Sequence, residues 1–243
     1  ENGEDEDMLE NEESTPDSNP CAWISLTTYF RQPVSLPGVG LALLYFNVLT
    51  FAGMMTAYLV ARGMSLSTIG LWRGIASTIG LLGTFAYHES TKHFSLRFTA
   101  LWSIVWEFIC LTITFASIFV LDDTTSLTLL IAGVLFSRIG LWVYDIAVTQ
   151  LFQQSVPEEE RGQVGGTQMS LNSWMELLPF GLAMIFHRPT QFYVMIVGGY
   201  LAVGLAMLLY SIDYVRTRRR YQHHRTSDAS SYGLQMVPTI DDD

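Results

Sequence analysis

The sequence predicts an all-α membrane protein of six transmembrane helices, with both chain ends on one side of the bilayer. Three observations carry that expectation. The 243 residues are 49% hydrophobic and only 15% charged, whereas soluble domains carry about 25% charged residues. The apolar residues gather in long runs rather than alternating with polar ones, and six runs approach the ~20 residues that a helix needs to cross hydrocarbon. Lys and Arg fall unevenly between the two sets of connecting loops, the asymmetry that orients membrane helices.

The net charge of −10 does not describe the apolar body. Nine of the 23 acidic residues lie in residues 1–20, which hold no Lys or Arg, and three more are Asp241, Asp242 and Asp243, leaving 11 acids against 13 bases. Neither nucleic acid nor an acidic partner is implied. Residues 1–20 are acidic, contain Ser and Pro and are nearly free of apolar side chains, so they read as a disordered linker. They have neither the basic start nor the apolar core of a targeting peptide. With no initiator Met, the sequence is expected to be part of something longer. Residues 21–37 mix Trp23, Tyr29 and Phe30 with polar neighbours and suit headgroup depth as an interfacial lead-in. Pro37 and Gly38 then open the first span, where a missing amide donor costs nothing.

The expected spans are 38–61, 66–87, 98–120, 127–151, 166–186 and 192–212, together a lobe over residues 38–213. The fourth and fifth are the weakest by hydropathy because they carry polar residues; their Gly and Ser let membrane helices pack closely. With residue 1 in the cytosol, the inner segments hold Arg31, Lys92, Arg97, Arg161, Arg216, Arg218, Arg219, Arg220 and Arg225. The outer loops hold only Arg62 and Arg188, so both ends are expected to be cytosolic. The tail, 214–243, is basic and then disordered, and its RTRRRYQHHR run reads first as a stop signal and second as an anionic-lipid patch. His223 and His224 read as solvated, and Cys21 and Cys110, at different depths, as free thiols.

Ionisable groups at membrane depth are costly and point to function by default. Five occur here: Arg73, Glu107, Arg138, Asp145 and Glu176. Arg73 either snorkels or pairs with a carboxylate across the bundle. Glu107 and Cys110, three apart, share a helix face. They form either a carboxylate–thiol cation or proton site, or a polar helix–helix contact. The contact is preferred, because two ligands do not make a metal site. Arg138 and Asp145 are two turns apart on roughly one face, above the run FQQSVPEEERG that supplies Glu158, Glu159, Glu160 and Arg161. That run is either a solvated loop or, with the two charges above it, a cytosolic gate of salt bridges that break and re-form. In the fifth span Gln168, Asn172, Met175 and Pro179 recur at helical spacing, giving a partly polar, kinked face of the kind a pore-lining helix needs. The ten methionines, Met54 and Met55 among them, read as packing rather than a metal path. Six spans with both ends inside amount to half of a major-facilitator carrier, whose two six-helix halves are joined by a long cytosolic loop.

The segment SRIGLWVYDIAVTQLFQQSVPEEERGQVGGTQMSLN, residues 137–172, resembles the ferroportin signature. There an R-[IL]-G-L-W motif is followed by an aromatic-Asp pair, a Gln-rich helix end, E-R-G and a polar span. SLPGVGLALLYFNVLTFAGMMTAYLVARG, residues 35–63, resembles the first span of that family's second half. The likeness runs from about residue 31 to 213 and covers all six spans. It implies the C-terminal lobe of a major-facilitator-type bundle in a plasma or endomembrane, surrounded by membrane lipid. Its function would be alternating-access export of Fe(II) with no resident cofactor, and its partner the N-terminal six-helix half of the same carrier.

The resemblance also assigns residues. Vertebrate members place a metal-binding Cys on the first span of this half and a His on the fifth; here those positions are Gly53 and Pro179. The sequence therefore looks closer to plant, fungal or protist members. Metal binding would rest on the other half or on oxygen ligands such as Asn47 and Glu176, which Fe(II) accepts. Arg138, Asp145, Glu158 and Arg161 match the family's cytosolic gate region. The competing reading is a non-transporting polytopic protein or a half-subunit that binds a partner. An intramembrane enzyme is weakest, since no nucleophile–base pair or metal-ligand trio appears in the sequence.

Overall fold

The first turn of a helix leaves amide groups without partners, and short polar side chains at the N-cap satisfy them. The computed structural model describes residues 20–46, 53–186 and 192–233, and three of its helices start this way. Ser65 accepts from the Thr68 amide at 3.2 Å, Ser95 from Phe98 at 3.4 Å and Asp122 from Thr125 at 2.8 Å. The Thr125 hydroxyl also donates to Asp122, and together these bonds hold that carboxyl below the usual carboxylate range. The elements are α1 (Pro20–Arg31), α2 (Ser35–Tyr45), α3 (Gly53–Ala61), α4 (Leu66–His93), α5 (Leu96–Ala116), a 3-10 turn (Ser117–Phe119), α6 (Asp123–Ser155), α7 (Glu158–Ile185) and α8 (Phe192–Gly233). No strand occurs among the described residues.

The turn from α3 to α4 is set by one glycine. Gly63 has φ +86°, the only positive φ among the described residues. The Gly63 amide donates to Val60 O at 2.9 Å and the Met64 amide to Leu59 O at 3.0 Å. This is a Schellman closure, in which a left-handed residue lets the chain reverse just past the helix end.

α6 is the central helix, packed most closely on α5 and then on α4. Gly133 and Gly140, two turns apart, face α5, and a Cβ at Gly140 would lie 2.6 Å from the Ser103 carbonyl oxygen and 2.9 Å from Glu107 Cβ. With little hydrophobic drive between helices in lipid, such small-residue contacts hold them by dispersion and backbone approach. α8 closes the bundle against α2 and α5, and α7 lies mainly on α2 and α1. Two apolar clusters fill the interior. One holds Met55, Leu59, Leu111, Leu130, Val134 and Met195; the other holds Tyr29, Leu44, Ile104, Tyr144, Val148 and Tyr210. Large apolar residues also cover the outside, including Leu81, Leu82 and Phe85 of α4 and Leu201, Leu205 and Leu208 of α8.

Among the described residues four helices are long and apolar enough to cross a membrane: Leu66–His93, Leu96–Phe119, Asp123–Ser155 and Tyr193–Arg220. The expected span 38–61 appears as two shorter helices, α2 and α3, with residues 47–52 between them outside the described set. The expected fifth span lies within α7. That helix starts at Glu158, ahead of residue 166, so charged and amide side chains dilute its apolar content. α6, expected to be weak, is among the apolar spans because its polar residues gather at the two ends of the 33-residue helix and leave a mostly apolar middle. α7 runs through Pro179 as one helix. α8 does not stop near 213 but continues to Gly233. No Gly or Pro interrupts the basic run before that point, and Arg and Gln are good helix formers.

Candidate functional site

The two ends of the bundle differ in charge. At one end gather α1, the α4–α5 turn, the α6–α7 turn and the part of α8 beyond Asp213. Arg97 pairs with Asp213 at 3.0 Å, Gln32 donates to Glu160, and Gln163 donates to Ser25 at 3.0 Å. At the opposite end Arg62 pairs with Asp123 at 3.0 Å and stacks over Tyr58. The uneven loop charge read from the sequence is therefore an asymmetry between the two ends of one bundle.

Close to the basic end, α2, α6 and α7 enclose a cleft of about 410 Å³, lined by Leu41 and Tyr45, by Asp145, Thr149 and Phe152, and by Arg161, Gln168 and Asn172. Local packing fixes its α7 wall. Gln168, on the buried side of α7, accepts from the Tyr29 hydroxyl, donates to Gly38 O at 3.0 Å and donates to Asn172 Oδ1 at 2.7 Å. Both of its amide protons are used, so its orientation is set on both sides. Burial pushes the Tyr29 phenol up, so it remains a donor to Gln168. Gly38 admits this knot, since any Cβ there would collide with Tyr29 and Gln168.

Asp145 and Arg161 line this cleft together but are not paired. Asp145 is half-buried and has no hydrogen bond or ion pair among the described residues. At 1.5 Å rise per residue it sits about 15 Å from the C-terminal end of α6. Arg161 is exposed, and its Nη2 donates to Val156 O at 3.5 Å, closing the end of α6. Tyr45 lies within electrostatic reach of both Asp145 and Glu176. Gln168, Asn172 and Glu176 are spaced by four, so a polar stripe on α7 extends from the cleft along the helix.

The other sequence-derived candidates fall elsewhere. Arg138 does not line the cleft; its electrostatic neighbour is Glu107 in the α5–α6 seam. Glu107 is fully buried, and neither carboxylate oxygen has a hydrogen-bond partner. Cys110, on the same face of α5, is 4% exposed in the same seam. Glu107 and Cys110 thus both lie in the α5–α6 seam. Glu158 is exposed in the first turn of α7 and has no ion pair among the described residues; Glu160 holds α1 instead. Arg73 is exposed, with no ion pair among the described residues. Gly53 is exposed, with open space where a Cβ would be, and Pro179 is buried in α7. Asn47 lies outside the described residues. Among the described residues no three His, Cys, Asp or Glu side chains come together as a metal group.

Sequence reasoning missed three structural parts. Tyr45 was hidden inside an apolar run, Tyr29 was read only as an interfacial aromatic, and Asp213 was read only as the end of a span. Asp213 lies among basic residues, and that lone acid beside Arg216 and Arg218 was the available signal.

Comparison with known proteins places this arrangement. The family model described as Ferroportin1 (FPN1) matches residues 10–203. "Solute carrier family 40 member 1" of Arabidopsis thaliana is 41% identical over 195 residues, covering 80% of this chain and 37% of the relative. "Ferroportin" of Rattus norvegicus is 29% identical, covering 77% and 42%. The plant protein is the more similar, as Gly53 and Pro179 led us to expect. The crystal structure of a bacterial homologue of iron transporter ferroportin in the outward-facing state superposes with TM-score 0.74 at 23% identity, covering 79% of this chain and 47% of that one. This chain thus spans less than half the length of the relatives it matches.

Proposed function

The chain belongs to the ferroportin family, and from that premise we propose that it is the C-terminal, gate-bearing lobe of an alternating-access carrier that exports Fe(II). The observation that carries this reading is Asp145. A half-buried carboxylate with no partner among the described residues is expensive at membrane depth. It sits in a cleft that also holds Arg161 and a polar stripe of α7. A gate needs such groups, with charges whose partners are present in one state and absent in the other. Their partners would be charges on the N-terminal six-helix half. The exposed apolar residues Trp174, Leu177, Phe180 and Met184 of α7 would face that half across the transport path.

In this reading α2 and α3, with the residues between them, form the first span and α7 the fifth, giving six. The basic end faces the cytosol. Fe(II) is the substrate. Its ligands here would be oxygens, with Glu176 and Asn47 as candidates beside whatever the N-terminal half supplies.

The test is efflux of Fe(II) from loaded vesicles containing the full-length protein. Flux no greater than from empty vesicles would remove the transport reading. Asp145→Asn keeps size and hydrogen-bonding capacity and should alter efflux several-fold at near-normal protein level. If efflux per molecule is unchanged and only abundance falls, Asp145 is a structural group and not part of a gate.

A further inference from the structure

The basic end carries a second cavity, on a different face of α6 from the Asp145 cleft. It measures about 1060 Å³ and lies between the α4–α5 turn, the end of α6 and α8, lined among others by Phe94, Arg97, Phe98, Gln154, Thr217 and Arg218. Among the described residues no carboxylate lines it. Asp213, paired with Arg97, and Glu89, paired with Lys92 and His93, are not among its lining residues. Arg218 is exposed and has no ion pair among the described residues. Leu96 and Arg97, in the first turn of α5, also line the cavity, and the positive end of a helix dipole adds to its potential. Its rim is apolar: Phe94 and Phe98 are 54% and 36% exposed, with ring centroids 5.1 Å apart.

We propose that this cavity binds the phosphorylated headgroup of an anionic phospholipid, with its acyl chains lying along Phe94 and Phe98. Basic pockets between helices on the cytosolic side hold such headgroups. The cavity adds two features that a basic tail alone lacks, a floor of donors held in one concavity and an aromatic rim at the level of the bilayer surface. The apolar rim favours a lipid over a free phosphate. Arg97, fixed by Asp213 and by Thr217 at 3.4 Å, would be the rigid part of the floor, and Arg218 the cation free to close on the ligand.

Full-length protein in detergent is titrated with a fluorescent phosphatidylinositol 4-phosphate, and separately with fluorescent phosphatidylcholine. The anionic lipid should bind saturably and the neutral one should not. One basic residue near the surface is worth enough that Arg218→Gln should weaken binding roughly fivefold. Arg219→Gln removes the same charge from a neighbouring face of α8 and should change binding by less than about twofold. Arg218 is exposed, so its variant retains the fold. Equal losses in the two variants would mean a diffuse basic tail and overturn the proposal, as would equal binding of phosphatidylcholine. Soluble inositol phosphate that displaces the lipid at equal concentration would show a phosphate site without lipid recognition, and would overturn it too.

Discussion

Glu107 and Arg138 are the pair in which one residue's environment decides the other's effect. Glu107 is sealed in the α5–α6 seam with both carboxylate oxygens unbonded, and Arg138 is its charged neighbour. No salt bridge joins them, so they act on each other through space. Removing one should cost less than the ~3–5 kcal/mol of a contacting buried pair, while replacing both with apolar residues of similar volume is often neutral. Glu107→Met and Arg138→Met should therefore each lower the melting temperature of the full-length protein, and the double variant should melt above either single one. A coupling of about 1–3 kcal/mol in the double-mutant cycle is expected; additive losses would show that the two groups do not act as a pair. At Gly53 the expectation runs the other way. A side chain there meets nothing within 4 Å, so Gly53→Cys should leave abundance unchanged and give a thiol that a maleimide labels. Failure to label a normally expressed variant would mean that another part of the full-length protein covers the site.

At the scale of elements, the α5–α6 contact rests on missing side chains. A Cβ at Gly140 would press on the backbone of α5 at Ser103, which cannot rotate aside. Overpacking of this kind costs about 1–3 kcal/mol, so Gly140→Ala should lower thermal stability in detergent. Gly166→Ala is the matched control: nothing lies within 4 Å of the new Cβ, and alanine raises helix propensity by about 1 kcal/mol. Equal behaviour of the two variants would mean that α5 and α6 do not meet so closely. These elements also show what the sequence made legible. The four spans recovered as helices long and apolar enough to cross a membrane were readable because lipid forces a backbone to satisfy itself within one apolar run. α7 was legible as a polar helix from Gln168, Asn172 and Pro179, but its start was not, since charge and length compete there and a helix can extend past the bilayer. The α2–α3 division was not read from the sequence, because Asn47, Thr50 and Gly53 interrupt only briefly a run long enough to span. Asp145 and Arg161 were marked by charge, and the structure brings them to one cleft. Arg138 was grouped with them by helical spacing, yet spacing does not say which neighbour a face meets, and its neighbour is Glu107.

At the scale of the whole molecule, orientation follows from where the cations collect. Arg97, Arg161, Arg216 and Arg218 sit at one end and Arg62 at the other, so the positive-inside rule predicts a cytosolic location for the first set. A tag after Asp243 should resist external protease in intact cells, and its cleavage without permeabilisation would reverse the topology. The same global view bears on metal. A site tight enough to hold Fe(II) needs several ligands in one geometry, and selectivity comes from their type and arrangement. In this lobe Gly53 and Pro179 stand where the resemblance to vertebrate members would place thiol and imidazole, and no three His, Cys, Asp or Glu side chains converge among the described residues. Asp145 and Glu176 share the neighbourhood of Tyr45, which offers oxygens without an enclosing shell. In the proposed transport cycle tight binding is also disfavoured, because a cargo held strongly by one lobe would not be released when the lobes part. Titration of this lobe with Co(II), a stable spectroscopic stand-in for Fe(II), should therefore show no stoichiometric site at micromolar concentration, while the full-length carrier should bind. A micromolar, one-to-one site on the lobe alone would refute the expectation, and loss of that site in Glu176→Gln would place it on the polar stripe of α7.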